Sequence, residues 1–165
     1  MDDAQNMFDN WANDVQVTKY LQWLPHGDIQ VTRDILDSWI KSYENPETYN
    51  WAIELLEVAQ VVGSIAIVDM SEKHEWFEIG YCLSKDHWNK GIMTEALNAI
   101  INFSFIDVGV NRVQAYHHVK NPASGKVMLK SGMKHEGCLK QYHINNQGVF
   151  VDCDIYGIVK ADFMK

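Results

Sequence analysis

Glu78-Ile79-Gly80-Tyr81-Cys82-Leu83-Ser84 runs directly into Lys85-Asp86-His87-Trp88-Asn89-Lys90-Gly91-Ile92-Met93-Thr94-Glu95-Ala96. Trp76 to Ser84 reads as a strand, and a short loop containing Gly91 opens a long helix to Val108. Ala96, Leu97, Ile100, Ile101 and Phe105 give that helix an apolar face. A helix start carries unpaired N–H groups and the positive end of the dipole, so it can hold a phosphate. Gly91 lets the backbone come close to such a ligand. Thr94 either caps the helix or bonds a phosphate oxygen. An ordinary strand–helix junction has the same look. Neither GxxxxGK[ST] nor GxGxxG occurs in the chain.

Outward from this junction, the period of the pattern changes along the chain. Ala4 to Trp11 carries Met7, Phe8 and Trp11 at helical spacing, and Val17 to Leu21 reads as a second short turn. Ile29 to Tyr43 reads as an amphipathic helix with Leu36, Trp39, Ile40 and Tyr43 on one stripe. Tyr49 to Leu56 and Val61 to Met70 read as strands joined by a polar turn. Arg112 to Val119 is a further strand, and Pro122 to Ser131 a helix with Pro in its first turn. Met133 to Ile144 and Phe150 to Lys160 read as a hairpin through Asn145-Asn146-Gln147-Gly148. This order predicts an α/β (α+β) fold: a mixed, mostly antiparallel sheet flanked by helices, in one domain over residues 1–165.

A second element is Asn121-Pro122-Ala123-Ser124. Asn121 sits where a side chain caps the helix that Pro122 begins. Ser124 lies on the first turn, facing back toward the sheet ends.

Glu78-Ile79-Gly80-Tyr81, Trp88 to Ala96, Asn111-Arg112-Val113, Asn121 to Ser124 and Ser131-Gly132-Met133-Lys134-His135-Glu136-Gly137 follow one another in an order that resembles the GCN5-related N-acetyltransferase (GNAT) superfamily. Within it, the chain is similar to the branch that acetylates the N-termini of ribosomal proteins. The match covers nearly the whole chain. The resemblance implies a sheet splayed between two strands, with acetyl-CoA in the opening. Its pyrophosphate would meet backbone amides from Asn89 through Lys90, Gly91, Ile92 and Met93 to Thr94. Its pantetheine arm would pair with the backbone from Tyr81 to Leu83, and Asn121 would bond the arm from the far side. Trp88 and Ser124 complete the implied cofactor set. Lys126 or Lys130 would meet the nucleotide phosphates, unless both simply belong to a solvated helix face.

Three positions depart from the family pattern. Trp88 stands where Gln or Arg is preferred, and Met93 where a small residue is preferred, so Met93 must point away from the cofactor. The family begins with a strand, whereas this chain opens on a helix, so the first edge strand is expected to be missing. An exposed sheet edge invites pairing, which makes a homodimer an expectation.

Transfer to an amine needs a base, a donor to the carbonyl oxygen and a proton for the departing thiolate. The family implies the backbone near Leu83 as the donor and Ser124 as the acid. Glu78, a carboxylate within an apolar strand, is the candidate base, since burial raises its pKa. An outward-facing Glu in a salt bridge is the competing reading. His143 is the second candidate base. Trp23, Trp51 and Tyr142 are candidates for an acceptor pocket, with core packing as the alternative.

The rest of the composition bounds these readings. With 165 residues and 47% hydrophobic content, including six Trp, seven Tyr and six Phe, the chain has material for a folded core. A net charge of −8 lacks the basic footprint of a nucleic-acid binder and suits a cationic acceptor or simple solubility. Met1-Asp2-Asp3-Ala4-Gln5-Asn6 is not a secretory start, and no apolar run spans a membrane, so a cytoplasmic protein is expected. Cys82, Cys138 and Cys153 lack CxxC spacing and read as reduced core thiols. His117-His118 point to opposite faces of a strand, and no HExxH occurs, so no metal is expected. The expected acceptor is the α-amino group of a ribosomal or other protein. A polyamine, an amino sugar or an amino acid is the alternative, as is a non-catalytic acyl-CoA-binding module.

Overall fold

The computed structural model describes residues 3–165; Met1 and Asp2 of the acidic start lie outside the described residues. Six strands form one sheet in the order β1-β2-β3-β4-β6-β5. They are β1 (Asn50–Leu55), β2 (Gln60–Ser71), β3 (Trp76–Leu83), β4 (Arg112–His118), β5 (Lys134–Ile144) and β6 (Phe150–Val159). Every neighbouring pair is antiparallel except β3 and β4, which run parallel. Among the described residues β1 is an edge strand.

Helices cover both faces. α1 (Ala4–Met7) continues as a wider π-type turn over Phe8–Ala12, and α2 (Val15–Thr18) and α3 (Ile29–Ser42) follow. Asp14 caps α2 by accepting from Gln16 N–H at 2.7 Å, and Asp28 caps α3 by accepting from Gln30 N–H at 2.8 Å. These helices bury Met7, Trp11, Ala12 and Val17 against Val61 of the sheet. On the other face lie α4 (Ile92–Asn102), extended by a π-type turn over Phe103–Val108, and α5 (Pro122–Lys130). Leu97 and Phe105 are 0% and 1% exposed there, against Ile65, Ile79, Val113 and Ala115. Each such large side chain contributes about 1.5–3 kcal/mol of burial free energy. A short α6 (Lys160–Phe163) returns Phe163 to within 5.0 Å of Phe105, ring centre to ring centre.

The sequence-derived elements all form, with ends shifted by at most three residues. Two expectations need correction. The stripe on α3 is inward at Thr32, Ile35, Leu36 and Trp39, but Ile40 and Tyr43 are 53% and 52% exposed. The periodicity is right, but the last turn of α3 stays exposed and meets β1 through the Tyr43 hydroxyl, which donates to the Asn50 carbonyl. Cys153 is buried, yet Cys138 is exposed on edge strand β5, so it is not a core thiol.

The feature that places the site is a divergence within the sheet. β3 and β4 pair only from Trp76↔Arg112 to Glu78↔Gln114. Beyond that point β3 continues to Leu83 and β4 to His118 with no pairing between them. Ser84 N–H donates to the Val62 carbonyl at 2.8 Å, on the β2 side. Backbone groups alternate along an antiparallel strand, so those of Ile79, Tyr81 and Leu83 face the gap instead.

Candidate active site

The gap opens a cleft of about 710 Å³ lined from both faces of the sheet. Strand alternation decides which side chains enter from where. Tyr81 points to the α4/α5 face, paired in register with Ile65, while Glu78 and Cys82 point to the α1–α3 face. Cys82 Sγ lies 3.4 Å from Ser64 Oγ, and burial pushes its thiol pKa up, so it is not poised as a nucleophile.

Glu78 is only 7% exposed and lines the cleft. Gln114 Nε2 donates to Glu78 Oε2 at 3.0 Å across the last parallel pair before the strands diverge. Desolvation holds its carboxyl above the usual carboxylate range; the Gln114 hydrogen bond pulls the other way, and Asp69, its register partner on β2, adds to the rise. Among the described residues no salt bridge forms at Glu78, so the outward-facing alternative is not what the fold adopts.

Ser124 stands on the first turn of α5, and its Oγ donates to the Tyr81 hydroxyl at 2.9 Å. The Tyr81 hydroxyl in turn donates to the Ser124 carbonyl at 3.0 Å. Burial raises the Tyr81 pKa strongly, so this phenol stays neutral. The close seating of α5 depends on Gly125. A Cβ there would lie 2.5 Å from His117 Nε2 and 2.8 Å from the Tyr156 hydroxyl. Tyr81 was foreseen only as a backbone partner; the hydroxyl contact joins positions 43 apart in sequence, so no local pattern signals it. Tyr116 was also missed. It alternates with Gln114 on β4, opposite buried Val113 and Ala115, and burial, with Glu78 nearby, pushes its hydroxyl up to about 12. That alternation of polar and small apolar residues was the available signal.

Asn121 is at the N-cap position of α5 but its side chain makes no capping bond, contrary to expectation. Instead its backbone carbonyl accepts from Ser124 N–H at 3.2 Å, and the residue lines the cleft. Pro122 supplies the helical φ at the first position without a donor that would need a partner.

The loop between β3 and α4 is held at two points. Lys85 forms an ion pair of 2.7 Å with Asp14, tying the loop to the α2 cap. Trp88 Nε1 donates to the Leu83 carbonyl at 2.8 Å, although the ring is 43% exposed. Asn89 and Gly91 have φ of +61° and +86°, left-handed values that glycine adopts freely. Gly91 is the N-cap of α4, and no side chain caps the helix, Thr94 included. The first helical bond runs from Glu95 N–H to the Gly91 carbonyl at 3.0 Å. The N–H groups of Ile92, Met93 and Thr94 therefore have no intrahelical partner. Nothing lies within 4 Å of a Cβ built on Gly91, so the space before this helix end is open. Met93 is 5% exposed and turned into the core, as its departure from the family pattern requires. Lys90, Lys126 and Lys130 are exposed.

His143 lines the cleft with its Nδ1 3.5 Å from the Tyr116 hydroxyl. Of the aromatic candidates for an acceptor pocket, Trp23 lines the cleft. Trp51 stacks on Tyr49 and meets Phe103 edge-on at the core margin instead, and Tyr142 is 46% exposed.

Open amides on a left-handed Gly turn, unpaired strand groups on β3 and a buried carboxylate opposite a hydroxyl pair are what an acyl-CoA and an amine require. Comparison with known proteins agrees. The acetyltransferase (GNAT) domain family matches residues 1–134. The uncharacterized N-acetyltransferase YoaA of Bacillus subtilis is 30% identical over 158 residues, covering 96% of this chain and 88% of that protein. The ribosomal-protein-serine acetyltransferase of Escherichia coli is 32% identical over 97 residues, covering 59% of this chain and 54% of that protein. Among solved structures, the microcin C7 self-immunity acetyltransferase MccE, in complex with acetyl-CoA and AMP, superposes with a TM-score of 0.83 at 25% identity, over 94% of this chain and 86% of that one. The chain belongs to the GNAT family and is an acyl-CoA-dependent N-acetyltransferase.

Proposed function

We propose that the protein transfers the acetyl group of acetyl-CoA to the α-amino group of a protein or peptide, with Glu78 and Ser124 as the catalytic pair. The observation that carries this reading is their placement. One enters the cleft from each face of the sheet, where β3 and β4 part. The similarity to a ribosomal-protein-serine acetyltransferase supports a protein acceptor.

Acetyl-CoA supplies the activated acyl group. Backbone N–H groups from Asn89, Lys90, Gly91, Ile92, Met93 and Thr94 hold its pyrophosphate at the uncapped end of α4. The gap-facing backbone of Tyr81 and Leu83 pairs with the pantetheine arm, and the free Asn121 amide meets it from α5. Trp88 offers its ring, because its N–H is already spent on Leu83.

Glu78 takes the proton that an alkyl ammonium must lose before its nitrogen can attack. A carboxyl raised by burial is better matched to that task than an exposed one. The Leu83 N–H, facing the gap, donates where charge grows on the carbonyl oxygen. Ser124 turns its O–H from Tyr81 toward the departing sulfur. Tyr81 keeps its own proton and holds the serine in place.

The test is release of the CoA thiol from acetyl-CoA in the presence of a peptide with a free N-terminus, beside the same peptide with that terminus blocked. Thiol release with the free peptide alone, and a mass gain of one acetyl group, is the expected result. Equal release from both, or none from either, overturns the assignment.

A further inference from the structure

The charge pattern of the cleft narrows the acceptor. Among the described residues that line it, Glu78 is the only Asp or Glu, and there is no Lys or Arg. On the α1–α3 side the wall is made of Tyr20, Leu21, Trp23, Ile35 and Trp39, each partly exposed. This wall is braced. Tyr20 packs on His118 with ring centres 5.4 Å apart, and Gln22 Nε2 reaches the Tyr116 hydroxyl at 3.4 Å. From the β5–β6 turn, Asn146 Nδ2 donates to the carbonyls of Thr18 and Trp23 at 2.9 and 3.1 Å. A partly exposed aromatic surface fixed on three sides is a place for an apolar group to bury.

We infer that the acceptor amine belongs to a molecule with one positive charge and a large apolar or aromatic group beside it, such as a peptide beginning with Phe or Leu. The amine faces Glu78, and the side chain lies on the wall from Tyr20 to Trp39. A polyamine has further ammonium groups, and among the described residues no second carboxylate lines the cleft to pair with them. An acidic first residue or a phosphate finds no Lys or Arg there among the described residues and is repelled by Glu78. A first residue as small as Ala or Ser leaves the wall uncovered.

The inference rests on the proposed acetylation at Glu78 and Ser124. One panel separates the two. Peptides identical except for a first residue of Phe, Leu, Ala, Ser or Asp, with spermidine beside them, are compared by thiol release. Acetyl-CoA binding is measured by calorimetry in the same preparation. The expected result is a kcat/KM for Phe and Leu about ten- to a hundredfold above Ala, the value of one well-buried side chain. Asp and spermidine should be lower still. Trp23→Ala should erase the advantage of Phe over Ala through KM, with acetyl-CoA affinity retained; Tyr20→Ala makes the same test should the first variant not fold. Equal or better turnover with Ala, Asp or spermidine overturns the inference and leaves the enzyme reading standing. Acetyl-CoA binding with no turnover on any acceptor also overturns it. Absence of acetyl-CoA binding removes the underlying reading instead.

Discussion

At Glu78, function and stability pull in opposite directions. Burial disfavours the ionised carboxylate, so the folded protein holds this proton above the ordinary carboxylate range. Its contribution to stability is full below the unfolded value and is lost as pH rises through the folded one. At neutral pH the ionised side chain therefore weakens the fold. Glu78→Gln keeps an acceptor for Gln114 and removes the charge. The expected outcome is a higher Tm at neutral pH than the parent, a difference that fades below the ordinary carboxylate value, and turnover reduced by about 10² or more. The parent should lose turnover as pH falls through the raised value, and the variant should lack that limb. A lower Tm with unchanged turnover would contradict both roles. Ser124 and Tyr81 separate differently. Ser124→Ala should lower kcat by about tenfold or more with acetyl-CoA affinity nearly intact. Tyr81→Phe removes the hydroxyl that holds the serine and should produce a smaller loss in kcat. Unchanged kcat in Ser124→Ala would remove that residue from the chemistry.

At the scale of elements, the seating of α5 and the opening of α4 each hang on one glycine. Gly125 lets α5 approach His117 and Tyr156 more closely than any side chain permits. Gly125→Ala forces either the helix or those rings to move, which should cost about 1–3 kcal/mol. Denaturant unfolding checks that figure. Turnover should fall too, since Ser124 is the adjacent residue. These elements were also where the sequence could be read best. The switch from a period of two at Trp76–Leu83 to 3.6 beyond Gly91 marks β3 and α4 without any tertiary information. Asn121 shows the limit. An Asn before Pro at a helix start has the composition of a cap, yet its side chain is left to the cleft. Local chemistry names the position; tertiary packing decides what the side chain does there. The exposed end of α3 has the same cause, since periodicity fixes a face but not what packs against it.

For the whole molecule, the deciding feature is the short parallel ladder between β3 and β4. It closes the sheet at one end and leaves it open at the other, so one cleft receives groups from both faces. Strand spacing alone did not reveal this opening; it entered through the family resemblance, and the register of Glu78 against Gln114 locates it. The positions brought together there, Tyr81 with Ser124 and Glu78 with Gln114, are 43 and 36 residues apart. The negative charge of the chain is not concentrated at the cleft, where Glu78 is the one lining carboxylate among the described residues. Solubility thus accounts for the overall charge better than recognition of a polycation does.

Every proposed step requires acetyl-CoA to bind at the uncapped end of α4. Calorimetric titration with acetyl-CoA, run on the parent protein, Gly91→Ala and Gly91→Glu, addresses this directly. The φ of +86° at Gly91 makes Ala cost about 1 kcal/mol in backbone strain, although the space before it is free. The parent should bind, Gly91→Ala should bind somewhat more weakly, and Gly91→Glu, which brings a negative charge into the phosphate cradle, should not bind while remaining folded. Equal binding by the parent and Gly91→Glu, or no binding by the parent, would contradict the placement of the cofactor.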